Sequence, residues 1–311
     1  MILTVTLTPA LDKTVTIPGF ALDRVNRVQE MRLDAGGKGI NVSKSLRALG
    51  ADSVAAGILG GGTGRFIREQ LETAGIRCAF TEAPAETRTN LKIVDPQGGT
   101  HTDVNEAGAP VAPEVLARVL AQVEALTSPG DLVVLAGKAP PSAPEDLFAR
   151  WCRQLKAKGV QVYLDADGAL LREGVRACPT LIKPNDEELG RLVGHALDTP
   201  EALACAAREL VAQGIPEVVV SMGGDGALFV TKDQVLRGHG LKVPVLSTVG
   251  AGDSMMAAMC LGAAQGLPWL ERCRLAMAVS AATVSCPGTQ PASREQVEAL
   301  LPRVQLEEMS L

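Results

Sequence analysis

Hydrophobic residues in this 311-residue chain recur in two rhythms. Short aliphatic runs rich in β-branched residues stand at 2–7, 53–59, 76–80, 131–136, 160–165, 180–183 and 217–221. Between them lie longer stretches with helical spacing, at 40–49, 64–74, 111–126 and 143–158. Aliphatic runs without polar alternation belong to strands buried on both faces, and their regular alternation with helices predicts a parallel sheet joined by right-handed crossovers. Gly223-Gly224-Asp225-Gly226 reads as a tight turn between 217–221 and 227–231, which adds an antiparallel pair and makes the sheet mixed. Small-residue helices are predicted at 254–265 and 269–285, and a shorter one at 295–301.

Two segments break this rhythm. Residues 13–18 and 24–33 alternate polar and apolar positions, and so do 88–95 and 100–105 across the turn Pro96-Gln97-Gly98-Gly99. Strands with one wet face do not fit a doubly covered sheet, so these predict a small flap built from excursions at about 12–34 and 87–106. With no internal repeat, low-complexity tract or linker, the expected organisation is a single unit over residues 1–311.

Composition narrows the function. Apolar residues make up 46% and aromatics 3%, which suits aliphatic layers rather than an aromatic binding module. The net charge of -5, without a basic stripe, excludes a nucleic-acid binder. The seven cysteines include no C-x-x-C pair, so neither a metal ribbon nor a disulfide framework is expected. No apolar run reaches a bilayer span and the N-terminus lacks a basic leader, so a cytoplasmic, reduced protein is expected. Three scattered histidines give a zinc site or a Ser/His/Asp triad little support.

Three stretches carry candidate chemistry. Ser247-Thr248-Val249-Gly250-Ala251-Gly252-Asp253-Ser254 runs directly into an apolar helix, and forward-pointing amides at such a turn form an anion-binding concavity. Asp253 at its mouth is either a helix cap or a carboxylate that accepts a substrate hydroxyl's proton during phosphoryl transfer; the residues alone leave both open. Gly36-Gly37-Lys38-Gly39-Ile40-Asn41 opens another helix. It is not a Walker A loop, since Gly follows Lys38, and Gly60-Gly61-Gly62-Thr63-Gly64 misses the dinucleotide fingerprint, which disfavours a nicotinamide enzyme. Lys38 and Asn41, one turn apart, suit a polyhydroxylated ligand or simply begin the helix. Asn185-Asp186-Glu187-Glu188, at a strand's carboxyl end, is either a capping box or a water-mediated Mg²⁺ site.

Taken together with Thr8-Pro9-Ala10-Leu11-Asp12, Lys183-Pro184-Asn185 and Ser221-Met222-Gly223-Gly224-Asp225-Gly226, these stretches resemble the PfkB branch of the ribokinase-like carbohydrate kinases, in the family's order over nearly the whole chain. The resemblance implies an α/β ribokinase-like fold with a mostly parallel sheet, helices on both faces and a small β-sheet lid. It implies ATP and Mg²⁺ as cofactors. By residue it implies Asp253 as catalytic base and Gly250, Ala251 and Gly252 as the anion hole. Asp12, Gly37, Lys38, Asn41 and Arg88 would contact the sugar phosphate, Lys183, Asn185, Ser221, Gly223 and Gly226 the nucleotide, and Glu188, with Asn185 through water, the metal.

The flap sequence Thr87-Arg88-Thr89-Asn90-Leu91-Lys92-Ile93 is most similar to the 1-phosphofructokinase branch, over the tagatose-6-phosphate and type-two 6-phosphofructokinase branches. A homodimer joined through flap strands is implied too. A non-catalytic sugar-phosphate or nucleotide sensor is the rival of a different class, and it would not need Asp253. Two departures from the family pattern stand out. Lys138 and Asp167 occupy positions where it writes Ser, and Lys138 puts sugar preference in question. A loose phosphoryl-transfer transition state asks little basicity of its acceptor, so Asp253 is expected near its ordinary pKa.

Overall fold

The computed structural model describes residues 1–310. Strand β1 (Ile2–Thr6) lies third from one edge of a ten-stranded sheet. The chain then makes β2 (Ala10–Thr16), β3 (Glu30–Gly36), helix α1 (Lys38–Ala48), β4 (Val54–Gly60), α2 (Gly61–Thr73), β5 (Arg77–Ala83), β6 (Arg88–Asp95) and β7 (Thr100–Asn105). Next come α3 (Pro113–Leu126), β8 (Leu132–Ala136), α4 (Leu147–Ala157), β9 (Gln161–Asp165), α5 (Gly168–Val175), β10 (Leu181–Ile182), α6 (Asp186–Val193) and α7 (Pro200–Ala212). The last third contains β11 (Glu217–Ser221), β12 (Gly226–Val230), β13 (Val235–His239), α8 (Ala251–Ala264), α9 (Trp269–Thr283), α10 (Arg294–Leu300) and β14 (Leu306–Glu308).

The main sheet runs β14-β13-β12-β11-β10-β9-β8-β1-β4-β5. Strands from β11 to β5 are parallel, and β12, β13 and β14 are antiparallel. Period-two geometry sends successive side chains to opposite faces, and both faces are buried. Val133 and Leu135 of β8 enter a core shared with α3, α4 and α7, while Leu132 and Val134 enter one shared with α1, α8 and α9. This is the doubly covered α/β sheet that the aliphatic runs predict, in the ribokinase-like arrangement that the resemblance implies.

A separate four-stranded sheet, ordered β3-β2-β6-β7, forms the lid. Its small core is Val15, Ile17 and Ile93, and every residue of edge strand β7 is exposed. One expectation fails here: residues 24–29 are not strand. Asn26 instead closes a turn, accepting from the Ala21 amide at 3.1 Å and donating to the Ala21 carbonyl at 2.8 Å, and Val25 is left 82% exposed. A side chain that satisfies its neighbours' backbone groups competes with strand pairing despite the alternating pattern.

Candidate active site

A cavity of about 710 Å³ opens where the parallel strands end, between the main sheet and the lid. β1, β8, β9, β10 and β11 deliver Thr6, Gly137, Asp167, Lys183 and Ser221 to its wall; the lid contributes Asp12, Arg88 and Asn90. The starts of α1 and α8 meet side by side at its wall. All the site residues expected from the sequence line this one space: Asp12, Gly37, Lys38, Asn41, Arg88, Lys138, Lys183, Asn185, Glu188, Ser221, Gly223, Gly226 and Gly250 through Asp253.

Helix α8 begins at Gly250, whose φ of 85° lies in the left-handed region that glycine tolerates best. The turn sets Gly250, Ala251 and Gly252 on the cavity wall, at the helix end whose first amides have no partner within the helix. Asp253 is therefore not the cap; it sits in the first turn, 7% exposed, and its Oδ2 accepts from Asn41 Nδ2 at 2.8 Å. Burial pushes its carboxyl up to about 6, with the Asp165 charge adding to the rise and Lys38, Asn41 and Lys183 opposing it. The expectation of an ordinary pKa is thus corrected. The sequence places Asp253 at a helix mouth but does not reveal that α1 and α9 pack against α8 and bury it.

Asp165 is the residue whose importance the sequence left hidden. It ends β9 with its side chain fully buried, 2.7 Å from Lys38 Nζ through Oδ1 and 3.1 Å from Lys183 Nζ through Oδ2. The first contact is a well-formed hydrogen bond, whereas the second is a close ion contact whose geometry leaves Oδ2 without an aligned donor. Burial raises the Asp165 carboxyl, but the two ammonium groups outweigh it and hold it below the usual carboxylate range. Burial pulls Lys38 down, and Asp165 overcomes that to hold it above the usual lysine range. A Cβ added to Gly252 would stand 3.1 Å from Lys183 Nζ, so this ammonium lies against the amide-lined turn. The signal available in the sequence was only an acid at a strand's carboxyl end, where open α/β sheets place their ligands.

On the lid side, Asp12 accepts from Asn90 Nδ2 at 2.9 Å, and burial holds its carboxyl above the usual range. Arg88 donates through Nη1 to the Glu106 carbonyl at 3.0 Å and through Nη2 to the Thr8 carbonyl at 3.4 Å, leaving a buried Nε without a partner. A guanidinium so held retains donor capacity for an anion. Thr8 Oγ1 also donates to the Lys138 carbonyl at 3.1 Å, so Arg88 and the exposed Lys138 flank the same residue at the cavity rim.

At the opposite end, Asn185 bridges to Ser221 across parallel backbone, and the Ser221 amide donates to the Pro184 carbonyl at 3.1 Å. Gly226 adopts φ 105°, and a Cβ there would fall 1.9 Å from the Gly238 carbonyl, so only glycine lets β13 approach. Asn185 and Glu188 form a complete capping box: Asn185 Oδ1 accepts from the Glu188 amide at 2.7 Å, and Glu188 Oε2 accepts from the Asn185 amide at 2.9 Å. Both still line the cavity. Among the described residues no group of His, Cys, Asp and Glu is dense enough to hold a metal alone. That donor set fits Mg²⁺, which keeps several waters and is shared with nucleotide phosphates, rather than a metal caged by protein.

The cavity therefore combines an amide-lined turn, a carboxylate facing it, two paired lysines and polar groups on a lid. Comparison with known proteins agrees with that chemistry. The profile described as pfkB family carbohydrate kinase matches residues 7–296. The 1-phosphofructokinase of Rhodobacter capsulatus is 38% identical over 300 residues, covering 96% of this chain and 95% of that protein. The 1-phosphofructokinase of Bacillus subtilis is 36% identical over 306 residues, covering 98% and 99%. The crystal structure of phosphofructokinase-2 from Escherichia coli in complex with substrates and products superposes with a TM-score of 0.93 at 29% identity, over 97% of this chain and 98% of that one. It is a sugar kinase that uses ATP and resembles 1-phosphofructokinases: the chain belongs to the pfkB family of carbohydrate kinases.

Proposed function

We propose that the protein transfers the γ-phosphoryl group of ATP to the 6-hydroxyl of fructose 1-phosphate, giving fructose 1,6-bisphosphate and ADP. The observation that carries this reading is the buried Asp253 carboxylate at the cavity wall, held in the first turn of α8 beside the Gly250–Gly252 amides. Asp253 takes the hydroxyl proton as the sugar oxygen bonds to phosphorus and the bond to the ADP oxygen breaks. The amides at Gly250, Ala251 and Gly252, with the Lys183 ammonium beside them, neutralise charge on the phosphoryl oxygens in flight. Asp12, Gly37, Lys38, Asn41 and Asn90 orient the sugar hydroxyls, and the donors of Arg88 take its 1-phosphate. Asn185, Ser221, Gly223 and Gly226 hold the nucleotide. Glu188 and Asn185 would hold Mg²⁺ through water, and the ion would supply charge neutralisation at the nucleotide phosphates when bound.

The family relatives at 36–38% identity bear the name 1-phosphofructokinase, and this supports the ketohexose phosphate as acceptor. We read the chain as one kinase unit with a lid, in the cytoplasm, where seven free cysteines are at home. We also read it as a homodimer joined at the lid, because Leu22, Val25, Met31 and Val104 leave apolar surface exposed there. A coupled ADP-release assay with MgATP across fructose 1-phosphate, fructose 6-phosphate, tagatose 6-phosphate, ribose and adenosine tests the substrate. Highest kcat/KM on fructose 1-phosphate is expected. A preference for either 6-phosphate moves the protein to a neighbouring branch, and tight binding without ADP release makes it a sensor.

A further inference from the structure

Helix α2 holds both roots of the lid. Gly60, its N-cap, offers no side chain to its free amides. Glu86, two residues before Arg88, supplies the missing cap: its carboxylate accepts from the Gly62 amide at 3.2 Å and from the Thr63 amide at 2.5 Å. Thr87 adds a reciprocal pair, its amide donating to the Gly60 carbonyl at 3.0 Å and its Oγ1 accepting from the Gly60 amide at 2.9 Å. Bare glycine backbone permits this approach, since a Cβ on Gly61 would lie 1.8 Å from Glu86 Oε2 and one on Gly60 would lie 1.9 Å from the Ala85 carbonyl. Further along the same helix, Gln70 Oε1 accepts from the Ala35 amide at 2.9 Å while its Nε2 donates to the Leu33 carbonyl at 3.1 Å. A side-chain amide thus stands in for a neighbouring strand along β3.

Neither Glu86 nor Gln70 lines the cavity, yet each anchors a strand that leads to it. β6 begins at Arg88 and carries Asn90. β3 pairs with β2, setting Asp34 opposite Asp12. The Arg88 guanidinium reaches only backbone carbonyls, so its position depends on where β6 is rooted. We infer that Glu86 and Gln70 are positioning residues of the sugar-phosphate site, hanging the lid on α2 at the depth that presents Arg88, Asn90 and Asp12 to the acceptor. This rests on the proposed function, because the lid residues are read there as sugar contacts.

Steady-state kinetics of Glu86→Ala, Gln70→Ala and Glu86→Gln with the best ketohexose phosphate provides the test. The alanine variants should raise KM for the sugar phosphate about tenfold, with kcat and the KM for ATP within about twofold of wild type, and Glu86→Gln should fall between. In the Arg88→Ala background, Glu86→Ala should add less than its full rise in sugar KM, the remainder acting through Asn90 on the same strand. A lowered melting temperature with an unchanged sugar KM, or fully additive effects with Arg88→Ala, would overturn the inference. If wild type turns over no ketohexose phosphate the proposed function fails, and lid anchoring is then read from amide exchange at residues 30–36 and 88–95. Faster exchange in both alanine variants supports it, and unchanged exchange overturns it.

Discussion

Asn41 Nδ2 donates to Asp253 Oδ2 at 2.8 Å across 212 positions of sequence. One turn on, the hydroxyls of Ser45 and Ser254 meet at 2.9 Å, so two buried polar contacts fasten α1 to α8. Helix α1 thereby fixes the carboxylate that α8 carries. Burial then sets the chemistry: with one hydrogen bond and no ion pair of its own, Asp253 is held up at about 6.

That value gives a pH dependence. A base works deprotonated, and a raised carboxyl pKa keeps it protonated over more of the acid range. The kcat/KM for sugar phosphate should therefore fall as pH drops through about 6, approaching a tenfold loss per pH unit below it. A profile flat down to pH 4.5 would remove Asp253 from the proton-accepting role.

Neighbours of the base should move that acid limb in opposite directions. Asp165 raises the Asp253 pKa by its charge, so Asp165→Asn should shift the limb to lower pH; Asn41 lowers it, so Asn41→Ala should shift the limb to higher pH. Asp165→Asn also strips Lys38 and Lys183 of their shared buried partner, at a stability cost of roughly 3–5 kcal/mol by thermal or denaturant unfolding. Shifts of the same sign in both variants would contradict the electrostatic account.

Much of this was legible in the sequence because it depends on local chemistry. Aliphatic runs such as Leu132–Ala136, short and bounded by turn residues, read as doubly buried strands, and the glycines around Ala251 read as a turn into a helix. Lid strands β6 and β7 followed from alternation and a glycine turn. Helices α5 and α7 and strands β13 and β14 were not anticipated. α5 is short, and β14 spans three residues whose strand character comes only from pairing with β13. Asp165 escaped notice for a deeper reason. Its partners Lys38 and Lys183 lie far away in sequence: the pairing of β9 with β10 sets Lys183 beside it, and the start of α1, packed against Gly137 at the end of β8, brings Lys38.

Lys138 is exposed and stands at the rim beside Arg88's anchor, Thr8. Lys138→Ser, which restores the residue of the family pattern, should raise KM for fructose 1-phosphate several-fold, by about 1 kcal/mol of charge-assisted contact, and leave the KM for ATP unchanged. An unchanged sugar KM would mean that the ammonium stays in solvent.

Glu188 caps α6, and the proposed function also gives it a part in holding Mg²⁺; one substitution separates the two. Glu188→Gln keeps an acceptor for the Asn185 amide, so the cap and the melting temperature should be nearly preserved. Loss of the charge should raise the Mg²⁺ concentration for half-maximal velocity about tenfold at fixed ATP. An unaltered Mg²⁺ requirement would leave Glu188 as a helix cap alone.

The most direct measurement is turnover of Asp253→Asn, alongside calorimetric binding of fructose 1-phosphate and of a non-hydrolysable ATP analogue. Asparagine preserves size and the proximity to Asn41 but cannot accept the hydroxyl proton, so kcat should fall by about 10²–10⁴ while both dissociation constants stay within a few-fold of wild type. Turnover near the wild-type rate with intact binding would contradict the assignment of the base and, with it, the reading of the whole cavity.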